Sequence, residues 1–172
     1  ALGQLVNKKV GNNVGNPLQK VDYKYNIRGW LEEINKTSNL QQDTDPVDLF
    51  AFKINYDITQ TAISDIKALY NGNISETFWK TASDLNERAY GYKYDNLNRL
   101  KNAVYEKNGL TTSAYDENLT YDKNGNIKTL SRNGDFDPQV GKVDIDDLVY
   151  TYETNSNRLS KVADNSNNSS GL

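Results

Sequence analysis

Four stretches of the chain follow one pattern: Tyr23-Lys-Tyr25-Asn26-Ile-Arg-Gly29-Trp30-Leu31, Tyr92-Lys-Tyr94-Asp95-Asn-Leu-Asn98-Arg99-Leu100, Leu119-Thr-Tyr121-Asp122-Lys-Asn-Gly125-Asn126-Ile127 and Tyr150-Thr-Tyr152-Glu153-Thr-Asn-Ser156-Asn157-Arg158-Leu159. In each, an alternating run ends in Tyr and an acidic or amide residue follows. A short turn rich in Asn and Gly comes next, and an aliphatic residue then resumes the alternation. Such self-similarity predicts one supersecondary unit used several times. Alternation of period two is the signature of a strand, and Tyr, Ile, Val and Thr suit a pleated, half-buried surface. Asn-Gly recurs at 71–72, 108–109, 124–125 and 133–134, and both residues tolerate the positive φ of tight hairpin turns. The expected fold is all-β, built of antiparallel hairpin repeats.

The units fall at about residues 18–35, 49–80, 88–106, 110–132 and 147–163, preceded by a strand around Gln4–Val10. Tyr56-Asp57 is a fifth, degenerate copy of the aromatic-acid step. Three stretches break the pattern. The polar segment 36–48 reads as a loop able to hold one helical turn. Residues 58–69 carry Ile58, Ile63, Ile66 and Leu69 at a spacing that would also fit a short helix. Strand or loop is preferred there because Asn-Gly follows at once. Residues 133–146 read as a polar loop, and the tail 164–172 has too little to bury to be more than loop or disorder. The steps between repeat tyrosines are irregular, 69 residues from Tyr25 to Tyr94, 27 to Tyr121 and 31 to Tyr152. A helical or leucine-rich solenoid keeps a tighter period, whereas a sheet of hairpins with variable outer loops tolerates this spread. The opening Leu2-Gly3-Gln4-Leu5-Val6 reads as the turn and exit strand of a unit whose Tyr-bearing half is missing, which predicts a segment cut from a longer polypeptide.

Composition narrows the function classes. The chain has 172 residues, 36% of them hydrophobic, and a mean hydropathy of −0.81, lean for a self-contained globule. Cys and His are both absent, which removes disulfides, thiol nucleophiles, Cys or His metal sites and every Ser-His-Asp or Cys-His mechanism. A net charge of −3 gives no electrostatic pull toward nucleic acid or an anionic membrane. No apolar run approaches the ~20 residues of a membrane span.

The motif Tyr-x-Tyr-Asp-x-x-Asn-Arg-Leu at 92–100 resembles the YD repeat of bacterial RHS (rearrangement hotspot) proteins and of the animal teneurins. Tyr121-Asp122 through Ile127, Tyr152-Glu153 through Leu159 and Tyr25-Asn26 through Leu31 look like three further copies. The stretch Leu69-Tyr-Asn-Gly-Asn-Ile-Ser75 is similar to RHS chains of Bacteroidetes-like bacteria. The resemblance spans residues 2–163. It implies a strip of antiparallel hairpins spiralling into a hollow shell, which in bacterial members encloses a C-terminal toxin and in teneurin-like members belongs to a cell-surface adhesion protein. The chain departs from the pattern in three ways: Asn26 and Glu153 replace the Asp, Trp30 replaces the usual Arg or Asn, and the turn after Tyr152 is one residue longer. The core signature that closes such shells is lacking; Asp137-Pro138-Gln-Val-Gly141 only loosely echoes it.

Read from the residues, Asp57, Asp95 and Asp122 are turn caps rather than catalysts, since Asx side chains accept hydrogen bonds from turn amides. The repeat positions Tyr25, Asn26, Tyr56, Asp57, Tyr94, Asp95, Tyr121, Asp122, Tyr152 and Glu153 are therefore structural. Tyr92 and Tyr94, two apart on a strand, are expected to share a face and to stack on partners across the sheet. Asp135, Asp137, Asp144, Asp146 and Asp147 lack the loop that would specify calcium and read as a solvated cluster. Trp30 and Trp79 are the candidate ligand-contacting aromatics, though each sits in an alternating run, which favours packing into neighbouring strands over binding. Asn35, Asn73, Asn118, Asn167 and Asn168 fit the glycosylation sequon, at the rate that so many asparagines produce by chance.

The expected function is a non-enzymatic wall segment of a secreted or bacterial cell-surface shell, without cofactor or metal. Its partners are neighbouring repeats, an enclosed cargo and a secretion or surface complex, with no nucleic acid and no membrane span. The alternative is a cell-surface binding or adhesion module for glycan or protein. Sheet edges expose unpaired N–H and C=O groups, so the isolated chain is expected to associate. Sedimentation showing a monomer at high concentration, with cooperative unfolding, would contradict this.

Overall fold

The period-two alternation and the Asn/Gly punctuation produce strands joined as a meander. The structure, a computed structural model, describes residues 3–137 and 141–166. Among these residues all twelve strands pair antiparallel in one open sheet, and no helix is present. The first strands are β1 (Asn7–Val10), β2 (Gln19–Tyr25), β3 (Leu31–Ile34), β4 (Phe50–Asn55), β5 (Glu76–Thr81) and β6 (Arg88–Tyr94). They are followed by β7 (Leu100–Lys107), β8 (Leu110–Thr111), β9 (Glu117–Tyr121), β10 (Ile127–Asp137), β11 (Gly141–Tyr152) and β12 (Leu159–Asp164). Spatial order equals chain order, except that short β8 sits beside β7 off the main path. In this meander the Tyr-acid turns, which join β2 to β3, β6 to β7, β9 to β10 and β11 to β12, fall at one end of the strands together with the long β4–β5 connection, and the remaining connections fall at the other.

The pairing register divides the side chains between two faces. Trp79 lies opposite Arg88, Thr77 opposite Tyr90, and Tyr90 opposite Tyr105, which places these residues with Tyr92 and Tyr94 on one aromatic face. Glu76 opposite Gly91, and Ala89 opposite Glu106, place both glutamates on the other face.

That second face is covered by the long β4–β5 connection, which folds back over β5, β6 and β7. Gly91 and Ala89 leave the room: a Cβ on Gly91 would stand 2.7 Å from Ile66 Cγ1 and 3.0 Å from Ile63 Cδ1. The partly covered backbone amides of this segment need acceptors, and two buried carboxylates supply them. Glu76 Oε2 accepts from the Gln60 amide and Asn55 Nδ2, each at 2.8 Å, and Oε1 from the Thr61 amide at 2.9 Å and the Thr61 hydroxyl at 2.6 Å. Glu106 Oε2 accepts from the Ala62 amide at 2.9 Å. No buried side-chain nitrogen or oxygen among the described residues lacks a partner.

Several boundaries differ from the sequence expectation. The first strand begins at Asn7 rather than near Gln4, and 36–48 holds turns with no helical turn. Residues 133–146 are largely hairpin, not loop, because β10 runs on to Asp137 and β11 starts at Gly141. The aspartates there alternate with Val143 and Ile145, so polarity hid a strand. Residues 138–140 and most of the tail, 167–172, lie outside the described residues.

Glu76→Ala would leave the part-buried Gln60 and Thr61 amides without their acceptors. We expect a loss of about 1–3 kcal/mol in chemical denaturation, with amide exchange at residues 60–62 accelerating ahead of the strands.

Candidate functional site

The local chemistry of the Tyr-acid turns is the same in three copies. Asp95 Oδ1 accepts from the amides of Leu97 at 2.8 Å and Arg99 at 3.0 Å. Asp122 Oδ1 does the same for Asn124 at 2.8 Å and Asn126 at 2.9 Å, and Asn26 Oδ1 for Arg28 at 2.9 Å and Trp30 at 3.0 Å. An amide oxygen thus replaces a carboxylate oxygen without changing the turn. The fourth turn residue adopts the left-handed conformation, with φ of 82° at Gly29, 61° at Asn98 and 90° at Gly125, which is why Gly or Asn stands there.

Two copies depart from this geometry. Glu153 caps no amide with its carboxylate; its turn closes one residue later, from the Glu153 amide to the Arg158 carbonyl, and the carboxylate pairs with Arg158. Asp57 is exposed and makes no hydrogen bond among the described residues, so the expected cap is absent there. The chain leaves Tyr56 for the long connection instead of a turn.

A second recurring feature links one hairpin to the next. In the four hairpins closed by Tyr-acid turns, the entry strand's last Tyr pairs with the first aliphatic residue of the exit strand, and the register then skips one residue of that strand. The skipped residues are Glu32, Lys101, Lys128 and Ser160. Each skip is a bulge, which interrupts the ladder beside the aliphatic carbonyl. The following unit's Tyr supplies a donor to that carbonyl: Tyr56 Oη reaches Leu31 O at 3.1 Å, Tyr121 reaches Leu100 O at 2.7 Å, and Tyr152 reaches Ile127 O at 2.9 Å. Tyr94 does the same to Ile74 O, at 2.9 Å, after the Asn71-Gly72 turn.

In two of the four, the residue before the aliphatic one also meets the incoming Tyr. Trp30 packs on Tyr56 with ring centroids 5.2 Å apart, and the Arg99 guanidinium lies 4.6 Å from the Tyr121 ring centre while donating to Asp122 O at 3.0 Å. Each pair of residues therefore forms a socket for the next unit's tyrosine. Sequence reasoning assigned these tyrosines to stacking alone and missed their donor role. The signal was the use of Tyr in every copy where Phe would stack as well.

Trp30 thus belongs to a socket. Trp79 belongs to an aromatic cleft of about 750 Å³ with Tyr90, Tyr105 and Tyr115, bordered by Arg88 and Lys107. Trp79 stacks on Tyr90 at 5.7 Å, and Tyr105 meets Tyr115 edge-on at 5.4 Å. The Tyr90 hydroxyl donates to the Tyr115 carbonyl at 2.8 Å, and burial pushes its pKa above the usual phenol value. The cleft offers ring faces flanked by Arg88, Lys107 and the Asp135 carboxylate.

No family model matches this chain, and no curated protein does.

No group of three or more acidic residues among the described residues is arranged to hold a metal ion. Asp146 of the sequence's acidic cluster pairs with Arg132 across β10 and β11. At the outer edge Lys20 bridges Asp22 at 3.2 Å and Asp45 at 2.8 Å. Nearby Asp48 is pushed up to about 6 by burial and by those two carboxylates.

Tyr121→Phe removes one socket bond while keeping the ring, and should cost about 0.5–1.5 kcal/mol in urea denaturation. The Arg99 guanidinium holds the Asp95 carboxyl below the ordinary 3.8, and the Asn126 side chain with turn amides does so for Asp122. A carboxyl depressed in the folded state contributes stability above the unfolded value, lost as pH falls through the lower folded value. The denaturation midpoint should therefore drop as pH falls below 3.8. Asp95→Asn with Asp122→Asn, which keeps the capping oxygens, should make that drop shallower.

Proposed function

We propose that the chain is a wall segment of an RHS/YD-repeat shell in a large secreted or bacterial cell-surface polypeptide, enclosing a C-terminal toxin or effector. The supporting observation is the socket, repeated four times with one polarity, in which each unit's tyrosine fastens to the unit before it. A sheet fastened this way grows by addition of like units, as a wall must. The resemblance of Tyr92 through Leu100 to the YD repeat supplies the family, and the use of the acidic positions as turn caps argues for a non-enzymatic role. The mechanism is steric: hydrogen-bonded hairpins separate the cargo from proteases and from the producing cell.

The aromatic cleft around Trp79 favours the second reading, a surface module that binds a glycan or protein through stacked rings. Its discriminating test is Trp79→Ala against a glycan panel, since a wall segment has no specific binding to lose.

For the first reading, the parent polypeptide should shield its enclosed region from added protease. Tyr94→Phe with Tyr121→Phe should speed cleavage of that region several-fold, beyond any effect on a control protein. Equal cleavage rates with and without the two substitutions would overturn the enclosure.

A further inference from the structure

Five hairpins present five such residue pairs at the head of their exit strands, and four are occupied. Trp30-Leu31, Asn73-Ile74, Arg99-Leu100 and Asn126-Ile127 receive Tyr56, Tyr94, Tyr121 and Tyr152. The fifth, Arg158-Leu159, heads β12, which among the described residues pairs with β11 alone. It repeats the Arg-Leu sequence of the most fully engaged socket, where Arg99 and Leu100 together take the Tyr121 ring, the Tyr121 hydroxyl and the Asp122 carbonyl. Both arginines are held from behind by their own turn's acid, Arg99 by Asp95 and Arg158 by Glu153. The difference lies in front: the Arg99 side chain is 26% exposed and that of Arg158 76%. Leu159 is 47% exposed, and no described residue's side chain donates to its carbonyl.

We propose that Arg158-Leu159, with the outer edge of β12, is a docking site for an extended peptide strand ending in Tyr-Xaa-Tyr-acid. The strand runs antiparallel to β12, its last Tyr hydroxyl donates to the Leu159 carbonyl, and its ring lies under the Arg158 guanidinium. Continuity with the four filled sockets fixes both the chemistry and the direction of the occupant.

A second copy of this chain is a poor occupant. Its Tyr-bearing strands β2, β4, β6, β9 and β11 are each paired on both sides. Among the described residues the outermost strands of its main path are β1 and β12. The main path holds eleven strands, an odd number, so these two edges run in the same direction. Placed head to tail, two copies would meet in a parallel pairing that the rest of the sheet never uses. A separate strand, which can enter antiparallel, has no such obstacle.

The inference rests on the part of the proposed function in which the sheet grows by adding units, and not on enclosure. The probe is a fluorescein-labelled peptide with the sequence of residues 88–95, Arg-Ala-Tyr-Gly-Tyr-Lys-Tyr-Asp, titrated into the full chain and followed by anisotropy. Saturable binding is expected, with amide shifts confined to β11, β12 and the turn between them. Arg158→Ala in the protein should weaken it about tenfold, through loss of the cation–ring contact and a hydrogen bond. A Tyr94→Phe peptide should bind about fivefold more weakly. Absence of binding, equal binding by the Arg158→Ala protein, or shifts centred on β1 would each overturn the proposal. Peptide binding without protease shielding in the parent chain would sink enclosure and leave this site standing; shielding without peptide binding would do the reverse.

Discussion

Each hairpin's junction to the one before it passes through a tyrosine hydroxyl, and much of the sheet follows from that bond. A bulge just after the turn takes one residue out of the ladder, and the neighbouring unit supplies the donor that the interruption calls for. The bond is worth no more than an ordinary hydrogen bond, but it recurs, and it ties register between units to a fixed position in each turn. This matters because the sheet has little else to hold it. Only nine apolar side chains among the described residues are buried, four of them alanines. Cross-strand pairs, turn caps and sockets therefore carry a larger share than they would in a two-layer domain.

The middle of the sheet is the exception, and it uses charge to make a core. Glu76 is fully buried yet surrounded by four donors, so its carboxylate serves as a scaffold for loop backbone that would otherwise require water. Burying a carboxylate is costly unless its oxygens are satisfied, and here the satisfying groups come from the segment that must be held. Gly91 completes the arrangement by leaving the space that Ile63 and Ile66 fill.

What the sequence disclosed was what is local. Asp95 and Asp122 cap turns within four residues of themselves, so Asx chemistry and Asn-Gly steps announced both the turns and the strand class. Alternation placed Tyr92 and Tyr94 on one face for the same reason. The sockets were not legible, because Tyr121 and Leu100 come together only through the pairing of β7 with β9. Alternation favoured packing for Trp30, but its partner, Tyr56, was not legible in the sequence. Nothing in the sequence marked Glu76 as buried, because its four donors lie up to 21 residues away. The β10–β11 hairpin was missed because its aspartates suggested solvent while Val143 and Ile145 kept the strand period.

The β4–β5 connection also has a mechanical meaning. In a meander each strand is held by its neighbours in sequence, so a pull on the two ends of the chain loads the hairpins in series and peels them one at a time. The Glu76 and Glu106 clamps interrupt that order, because the connection grips β5 and β7 at once. Under tension the outer hairpins should leave singly, while β4 to β7 hold together and yield as a block. The sheet thus has a tough centre and soft ends, a mechanical asymmetry created by two buried carboxylates.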